Sequence, residues 1–230
     1  MRLRNAALAG LSLTLLGSVL GAALPAGAAG TSLTLTIVGT TDVHGHIYPT
    51  SYFGKTTEED LGLAKAYTLI KDIRAKNPNT LLVDSGDMLQ GSPLTYWHAR
   101  MAKPGTPNPM IDVMNHMGYA AFGVGNHEYN FGLAHLYQAR KESRFPWVSG
   151  NTYKAGTQTP QFEPYTITTV AGVKVGIIGF APPGIAIWDK AHVQGKLEFR
   201  DILVSAKHWI PKMKAAGADV IVAVPHSGLG

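Results

Sequence analysis

Phe122-Gly-Val-Gly-Asn-His-Glu-Tyr-Asn130 passes without a break from small and apolar residues into the polar run Asn126-His127-Glu128. A buried strand ending at Gly125 in a tight turn accounts for that order, because glycine lets the backbone reverse and the next side chains then point into one cavity. Asn126 offers a neutral oxygen donor, and His127 an imidazole that exchanges a proton near neutrality. Taken alone, such a pair is more often turn chemistry than catalysis. Its meaning comes from the rest of the chain.

The same order, a strand and then polar residues, recurs on both sides. Leu33 to Gly39 alternates and predicts a strand with Leu33, Leu35 and Ile37 on one face. The loop Thr40–Tyr48 follows, with Asp42 and His44 one residue apart, so both can point the same way. Thr80–Val83 reads as a short buried strand running into Asp84-Ser85-Gly86-Asp87. Val173–Phe180 is almost continuously apolar, as for a strand buried on both faces. Asp219–Val224 is the last strand and leads to Pro225-His226-Ser227-Gly228. Tyr119–Val124 feeds the opening stretch, and Phe145–Ser149 is a further strand.

Between them lie helical patterns. Leu61–Lys76 carries Leu63, Ala66, Tyr67, Ile70 and Ile73 on one stripe and stops at Asn77-Pro78. Met110–Met117 and Phe131–Lys141 are shorter, the latter turning Leu133, Leu136 and Tyr137 inward. Asp201–Ala216 has helical spacing, and Pro211 should kink it or split it in two. Pro49–Asp60 reads as a polar surface loop. Strands alternating with helices, and polar clusters placed after strands, predict a layered α/β domain.

The 230 residues, 45% hydrophobic and 15% charged, suffice for one sizeable core. Arg2 and Arg4 precede an apolar run from Ala6 to Leu24, and Pro25-Ala26-Gly27-Ala28-Ala29 closes it with an Ala-x-Ala site. Residues 1–29 thus read as a secretory signal peptide, which makes the mature chain periplasmic or secreted and leaves it no membrane anchor. Without the leader the net charge of +5 falls by two, and the basic residues are scattered rather than striped, which argues against a nucleic-acid polymer as partner. Zero cysteines exclude disulfides, thiolate metal sites and thiol nucleophiles. Any metal must be held by nitrogen and oxygen.

Four strand ends carry metal-competent residues: Asp42 with His44, Asp87, Asn126 with His127, and His226. At the same end of one sheet they would converge, since ligands gather beyond the carboxyl ends of strands in open α/β sheets. Mixed carboxylate, imidazole and amide donors suit zinc, manganese, iron or cobalt rather than calcium or magnesium. Two divalent cations sharing a carboxylate is the natural solution. Asp87, central in sequence and preceded by Gly86, is the expected bridge.

Asp42-Val43-His44-Gly45, Gly86-Asp87, Gly125-Asn126-His127-Glu128 and His226-Ser227-Gly228 together resemble the ordered signatures of the calcineurin-like metallophosphoesterases. The resemblance spans nearly the whole of residues 30–230 and implies an α-β-β-α fold of mixed sheets with flanking helices. Within that superfamily it points to secreted 5′-nucleotidases and 2′,3′-cyclic-nucleotide 2′-phosphodiesterases. Leu89-Gln90-Gly91-Ser92-Pro93-Leu94, Pro182-Pro183, Trp188-Asp189-Lys190 and His226-Ser227-Gly228-Leu229 resemble the cyclic-nucleotide phosphodiesterase/3′-nucleotidase branch.

The resemblance implies that Asp42, His44 and Asp87 hold one cation and that Asp87, Asn126 and His226 hold the other. His127 would face the scissile phosphate of a small nucleotide substrate. Asn130 stands where 5′-nucleotidases commonly carry aspartate, so His127 should be the weaker base here. The family pattern continues with a Gly-His-x-His signature and a carboxyl-terminal nucleotide-binding domain, neither of which lies within residues 1–230. The chain is therefore expected to be an incomplete metallophosphoesterase domain, each cation one ligand short, and a metal-binding fragment without catalysis is an alternative. A 5′-nucleotidase or nucleotide-sugar hydrolase is another.

The remaining polar residues have blander readings. Asp84 beside Ser85-Gly86 caps a turn or supports a neighbour. His46 is a loop residue, and His98, His116, His135, His192 and His208 lack partner acids. Ser85, Ser92 and Ser227 sit in no nucleophile-elbow pattern. Trp188 and Trp209 are expected to pack in the core or at its edge.

Overall fold

Buried runs of β-branched and aliphatic residues at Leu81–Val83 and Ala121–Val124 make strands that are covered on both faces, and such strands pair in parallel with helices crossing between them. The computed structural model describes residues 32–52 and 60–228. The expected leader, residues 1–29, and part of the expected loop Pro49–Asp60 lie outside the described residues.

The first sheet contains β1 (Thr36–Thr40), β2 (Thr80–Asp84), β3 (Ala121–Gly123) and β4 (Trp147–Val148). They run parallel in the order β1-β2-β3-β4. The crossovers carry α1 (Leu63–Lys76), α2 (Pro93–Arg100), α3 (Pro109–Met117) and α4 (Leu133–Glu142). A small antiparallel pair joins β5 (Thr152–Lys154) to β8 (Leu197–Phe199). The second sheet has the order β6-β7-β9, from β6 (Tyr165–Val170), β7 (Val173–Phe180) and β9 (Val220–Pro225). β6 and β7 are antiparallel, whereas β9 runs parallel to β7. The short helices α5 (Ile185–Trp188) and α6 (Lys190–Val193) and the long α7 (Ile202–Ala215) complete the chain.

Three apolar clusters define the layers. Leu63, Ile70, Met110, Met114, Phe122 and Leu136 pack the helices onto the first sheet. Leu81, Val83, Ala121, Val175, Ile177 and Val224 lie between the two sheets. Ile178, Phe180 and Met213, with Trp209, seat α7 on the outer face of the second. This is the expected α-β-β-α arrangement. Only the second sheet is mixed; the first is wholly parallel.

Several local expectations need correction. The strand β1 is shorter than Leu33–Gly39 predicts: Leu35, just before it, packs between the sheets and Val38 packs against the helices, while Ile37 is 39% exposed because β1 is an edge strand. Pro211 does not split α7, which continues from Ile202 to Ala215. Lys207 and Pro211 are exposed, so water can serve the carbonyl that lacks its amide partner. Helix α2 has a clear start signal that the periodicity of its eight residues is too short to show. Ser92 accepts from Thr95 N–H in a capping box, and Pro93 occupies the first turn.

The packing of α2 against α4 brings the rings of His98 and His135 to 5.4 Å, and buried His98 Nδ1 and His135 Nε2 find no hydrogen-bond partner among the described residues. Burial, with His98 and Arg100 nearby, lowers His135 from 6.5 to about 4. The unfolded chain therefore binds the extra proton first, and stability falls as pH drops through the window between those values. Discounting for partial exposure, the protein should lose on the order of 1 kcal/mol between about pH 7 and about pH 5. Denaturant melts of the wild type and His135→Phe check this: the variant should show a flatter pH dependence.

Candidate metal centre

Backbone strain marks the site before any side chain is considered. Asp42 (φ 51°), His44 (φ 49°) and Asp87 (φ 64°) occupy the left-handed region, which costs a non-glycine residue roughly 1–3 kcal/mol. Surrounding contacts enforce it. Asp42 N–H donates to Gly86 O at 3.0 Å, and His44 N–H to Asp87 O at 2.9 Å, so the loops after β1 and β2 are tied together. Two glycines make the approach possible: a Cβ on Gly86 would lie 2.4 Å from Gly125 N, and one on Gly125 would lie 2.3 Å from Asp87 Oδ1. The second sheet comes close for the same reason, since a Cβ on Gly123 would meet Val224 O at 2.8 Å.

Two sets of side chains converge here, His44 with Asp87 and His127, and Asp42 with Asp87 and His226, each with donor atoms within 4.8 Å of one another. Asp87 belongs to both and is 2% exposed. Its Oδ2 lies 3.0 Å from His226 Nε2 and 3.8 Å from His127 Nε2, while Oδ1 accepts the His127 backbone N–H at 2.8 Å. His44 Nε2 is 3.8 Å from Asp42 Oδ1, and the His44 and His127 rings meet edge-on at 4.9 Å. Asn126 holds the turn between β3 and His127, where its carbonyl accepts from Tyr129 N–H.

The outer ring nitrogens show how these imidazoles are prepared. His44 Nδ1 meets Gln90 O at 2.9 Å, and His226 Nδ1 meets Ser85 O at 2.9 Å. A carbonyl only accepts, so each Nδ1 carries a proton and Nε2 is the ring atom turned toward the carboxylates. That donor set fits divalent cations of the zinc and manganese type. Burial would lower His226, but the hydrogen bond and charge of Asp87, with Glu128 behind it, raise it to about 9. A cation would compete with that proton for the same lone pair.

The expectation that all four strand ends share one sheet is corrected by this geometry. Asp42, His44, Asp87, Asn126 and His127 follow strands of the first sheet, whereas His226 follows β9 of the second. Its backbone N–H is pinned by Phe180 O at 2.8 Å, at the end of β7.

Glu128 has a role that pattern reading missed. Fully buried, its Oε2 accepts from Asp87 N–H at 2.9 Å and Gly125 N–H at 2.8 Å, and its Oε1 from Met88 N–H at 2.7 Å and Leu89 N–H at 3.2 Å. Burial and the charge of Asp87 push its carboxyl up, and the backbone donors oppose them. Its place in the polar run after Asn126-His127 was the available signal. Asp84 makes the contacts of a turn cap, accepting from Thr40 Oγ1 at 2.5 Å and Gly86 N–H at 2.7 Å, with burial pushing it well above the usual carboxylate range.

His127 Nδ1 lies 2.5 Å from Asn130 Oδ1, and Asn130 Nδ2 donates to Asp189 Oδ1 at 2.8 Å. Trp188, next to Asp189, is 64% exposed and covers Gly184 rather than packing into the core, because the α5–α6 joint turns it outward. Trp209 is half-buried and donates to Gly150 O, as expected of edge packing. A cleft of about 710 Å³, lined by Asp42, His44, His46, Leu61 and Lys65 among others, opens beside the two sets.

The family signature described as calcineurin-like phosphoesterase matches residues 35–230. A 2′,3′-cyclic-nucleotide 2′-phosphodiesterase/3′-nucleotidase from Haemophilus influenzae is 44% identical over 204 residues, which are 84% of this chain and 31% of that protein. A snake venom 5′-nucleotidase from Gloydius brevicauda is 35% identical over 94% of this chain and 36% of its own length. The crystal structure of the calcineurin-like phosphoesterase YfkN from Bacillus subtilis superposes with a TM-score of 0.81 at 40% identity, covering 85% of this chain and 63% of that one. The chain thus spans about a third of the length of these curated relatives.

Proposed function

From the premise that this chain belongs to the calcineurin-like phosphoesterases, a family of divalent-metal-dependent hydrolases, we propose that it hydrolyses phosphoester bonds in nucleotides as a 2′,3′-cyclic-nucleotide 2′-phosphodiesterase/3′-nucleotidase. The observation that carries the reading is Asp87, buried and shared by two donor sets in which His44 and His226 are tied by Nδ1 to backbone carbonyls. By the resemblance Asp42, His44 and Asp87 would hold one cation and Asp87, Asn126 and His226 the other, whereas distance alone groups Asp42 with His226 and His127 with His44. Bound there, a cation pair supplies Lewis acidity and an activated water. The chain's own residues do the remainder.

Asp87 is aimed by His127 N–H and by the Glu128 cradle, so its two oxygens stay directed into the site. His127 belongs to the first donor set by distance, yet its Nδ1 donates to Asn130, which leaves Nε2 to face the phosphate, take up a second proton there and, as the imidazolium, hand it to the leaving ribose oxygen. His127→Ala should therefore keep its metal and lose turnover by about 10²–10⁴-fold. Metal analysis and hydrolysis of nitrophenyl phosphate check this, and a metal-free variant would make His127 a ligand.

The identity of 44% to the phosphodiesterase/3′-nucleotidase, against 35% to the 5′-nucleotidase, supports the cyclic-nucleotide branch. Faster cleavage of 2′,3′-cyclic AMP and 3′-AMP than of 5′-AMP is the expected profile; the reverse order would select the 5′-nucleotidase reading. Residues 1–29 would direct export, and among the described residues no helix is long and apolar enough to cross a membrane.

A further inference from the structure

We propose that Asp189 is a positioning residue for His127, acting through Asn130 to hold the imidazole in the tautomer with its proton on Nδ1 and its lone pair on Nε2. The proposal rests on the reading of His127 as the residue that faces substrate. A carboxylate only accepts, so the Asn130 group 2.8 Å from Asp189 Oδ1 is the amide NH₂. That choice turns Asn130 Oδ1 to His127 at 2.5 Å, and an amide oxygen also only accepts. The proton between them therefore belongs to Nδ1. Without Asp189 the amide could present either end, and the imidazole either tautomer.

Two features suit Asp189 to this work. It is 4% exposed, and its Oδ2 has no hydrogen-bond partner among the described residues, so Asn130 is the hydrogen-bonded side chain that its carboxylate orients. Its backbone is fixed at the joint of α5 and α6, with its N–H donating to Ile185 O and its carbonyl accepting from His192 and Val193 N–H. The backbone thus fixes where the carboxylate stands beside Asn130, and its charge selects the NH₂ end of the amide.

Positions 130 and 189 are consequently coupled. Aspartate at both would set a partly exposed carboxylate against the buried one of Asp189, which like-charge repulsion disfavours without a shared proton. Exchanging the two residues preserves the chain, because asparagine at 189 can donate its NH₂ to aspartate at 130, which again accepts from Nδ1. The relation therefore predicts opposite effects for a single and a paired exchange.

The test compares Asp189→Ala, Asn130→Asp and the double variant Asn130→Asp/Asp189→Asn. Histidine-ring ¹⁵N–¹H correlation spectra of metal-free protein at alkaline pH, with His127 identified by its loss in His127→Ala, read the tautomer directly. Wild type and the double variant should show the proton on Nδ1, and Asp189→Ala a mixture of tautomers. In steady-state assays, kcat should fall about 10–100-fold in Asp189→Ala with KM and metal content unchanged, and the double variant should recover most of it. An unchanged His127 tautomer in Asp189→Ala, or a double variant no better than Asn130→Asp alone, would overturn the proposal. The spectra decide even if no protein of the set hydrolyses phosphate, in which case the functional reading fails separately.

Discussion

Asp87→Asn should remove bound metal and lower phosphoester hydrolysis by about 10⁴-fold or more, while leaving the fold intact. The side chain belongs to both donor sets, so one substitution strips charge from each cation position at once. Several kcal/mol of charge stabilisation at 1.36 kcal/mol per decade converts to a loss of about that size. Asparagine is the informative replacement, since it tolerates the left-handed backbone that Asp87 adopts at φ 64° as aspartate does. Its amide oxygen can also still accept the His127 N–H. Metal content after dialysis and nitrophenyl-phosphate turnover measure the effect, with circular dichroism to confirm folding. Full metal occupancy in this variant would remove Asp87 from the role of bridge.

Glu128→Gln should produce the largest loss of stability. The carboxylate serves four backbone N–H groups with two oxygens. Glutamine keeps one oxygen and turns an NH₂ toward donors that then have nothing to accept them. Stranding buried donors costs about 1–3 kcal/mol each, so a destabilisation of about 3–5 kcal/mol is expected. For a domain of this size that lowers Tm by about 10 °C or more. The loop after β2 would also lose the support that aims Asp87, and metal affinity should fall with it. Thermal melts of Glu128→Gln and Asp87→Asn side by side separate the roles. A Tm for Glu128→Gln within about 1 °C of wild type would show that the cradle does not hold the loop.

Much of the site was legible from the chain because it is built on strand ends. Alternation or continuous apolarity reports where a strand runs, and a polar cluster after it reports what the strand's end presents. Asp42, His44, Asp87, Asn126, His127 and His226 were read in that way, and the aspartates and histidines among them converge in the two donor sets. Elements without such periodicity were missed. Helix α2 is eight residues long, and β5 and β8 have three residues each, too few for a period to register.

What the sequence by itself determined is the order of apolar strands and polar turns, and with it the layered α/β class and the candidate ligands, because side-chain chemistry and backbone periodicity are local properties. Only the tertiary structure decided which sheet supplies His226, that Glu128 braces two loops, and that Asn130 is backed by Asp189. Those facts depend on partners far apart along the chain: His226 meets Ser85 across 141 positions, and Asn130 meets Asp189 across 59. No local pattern encodes such a pairing, since the hydrogen bond exists only after two sheets have packed through their glycines and closed the distance.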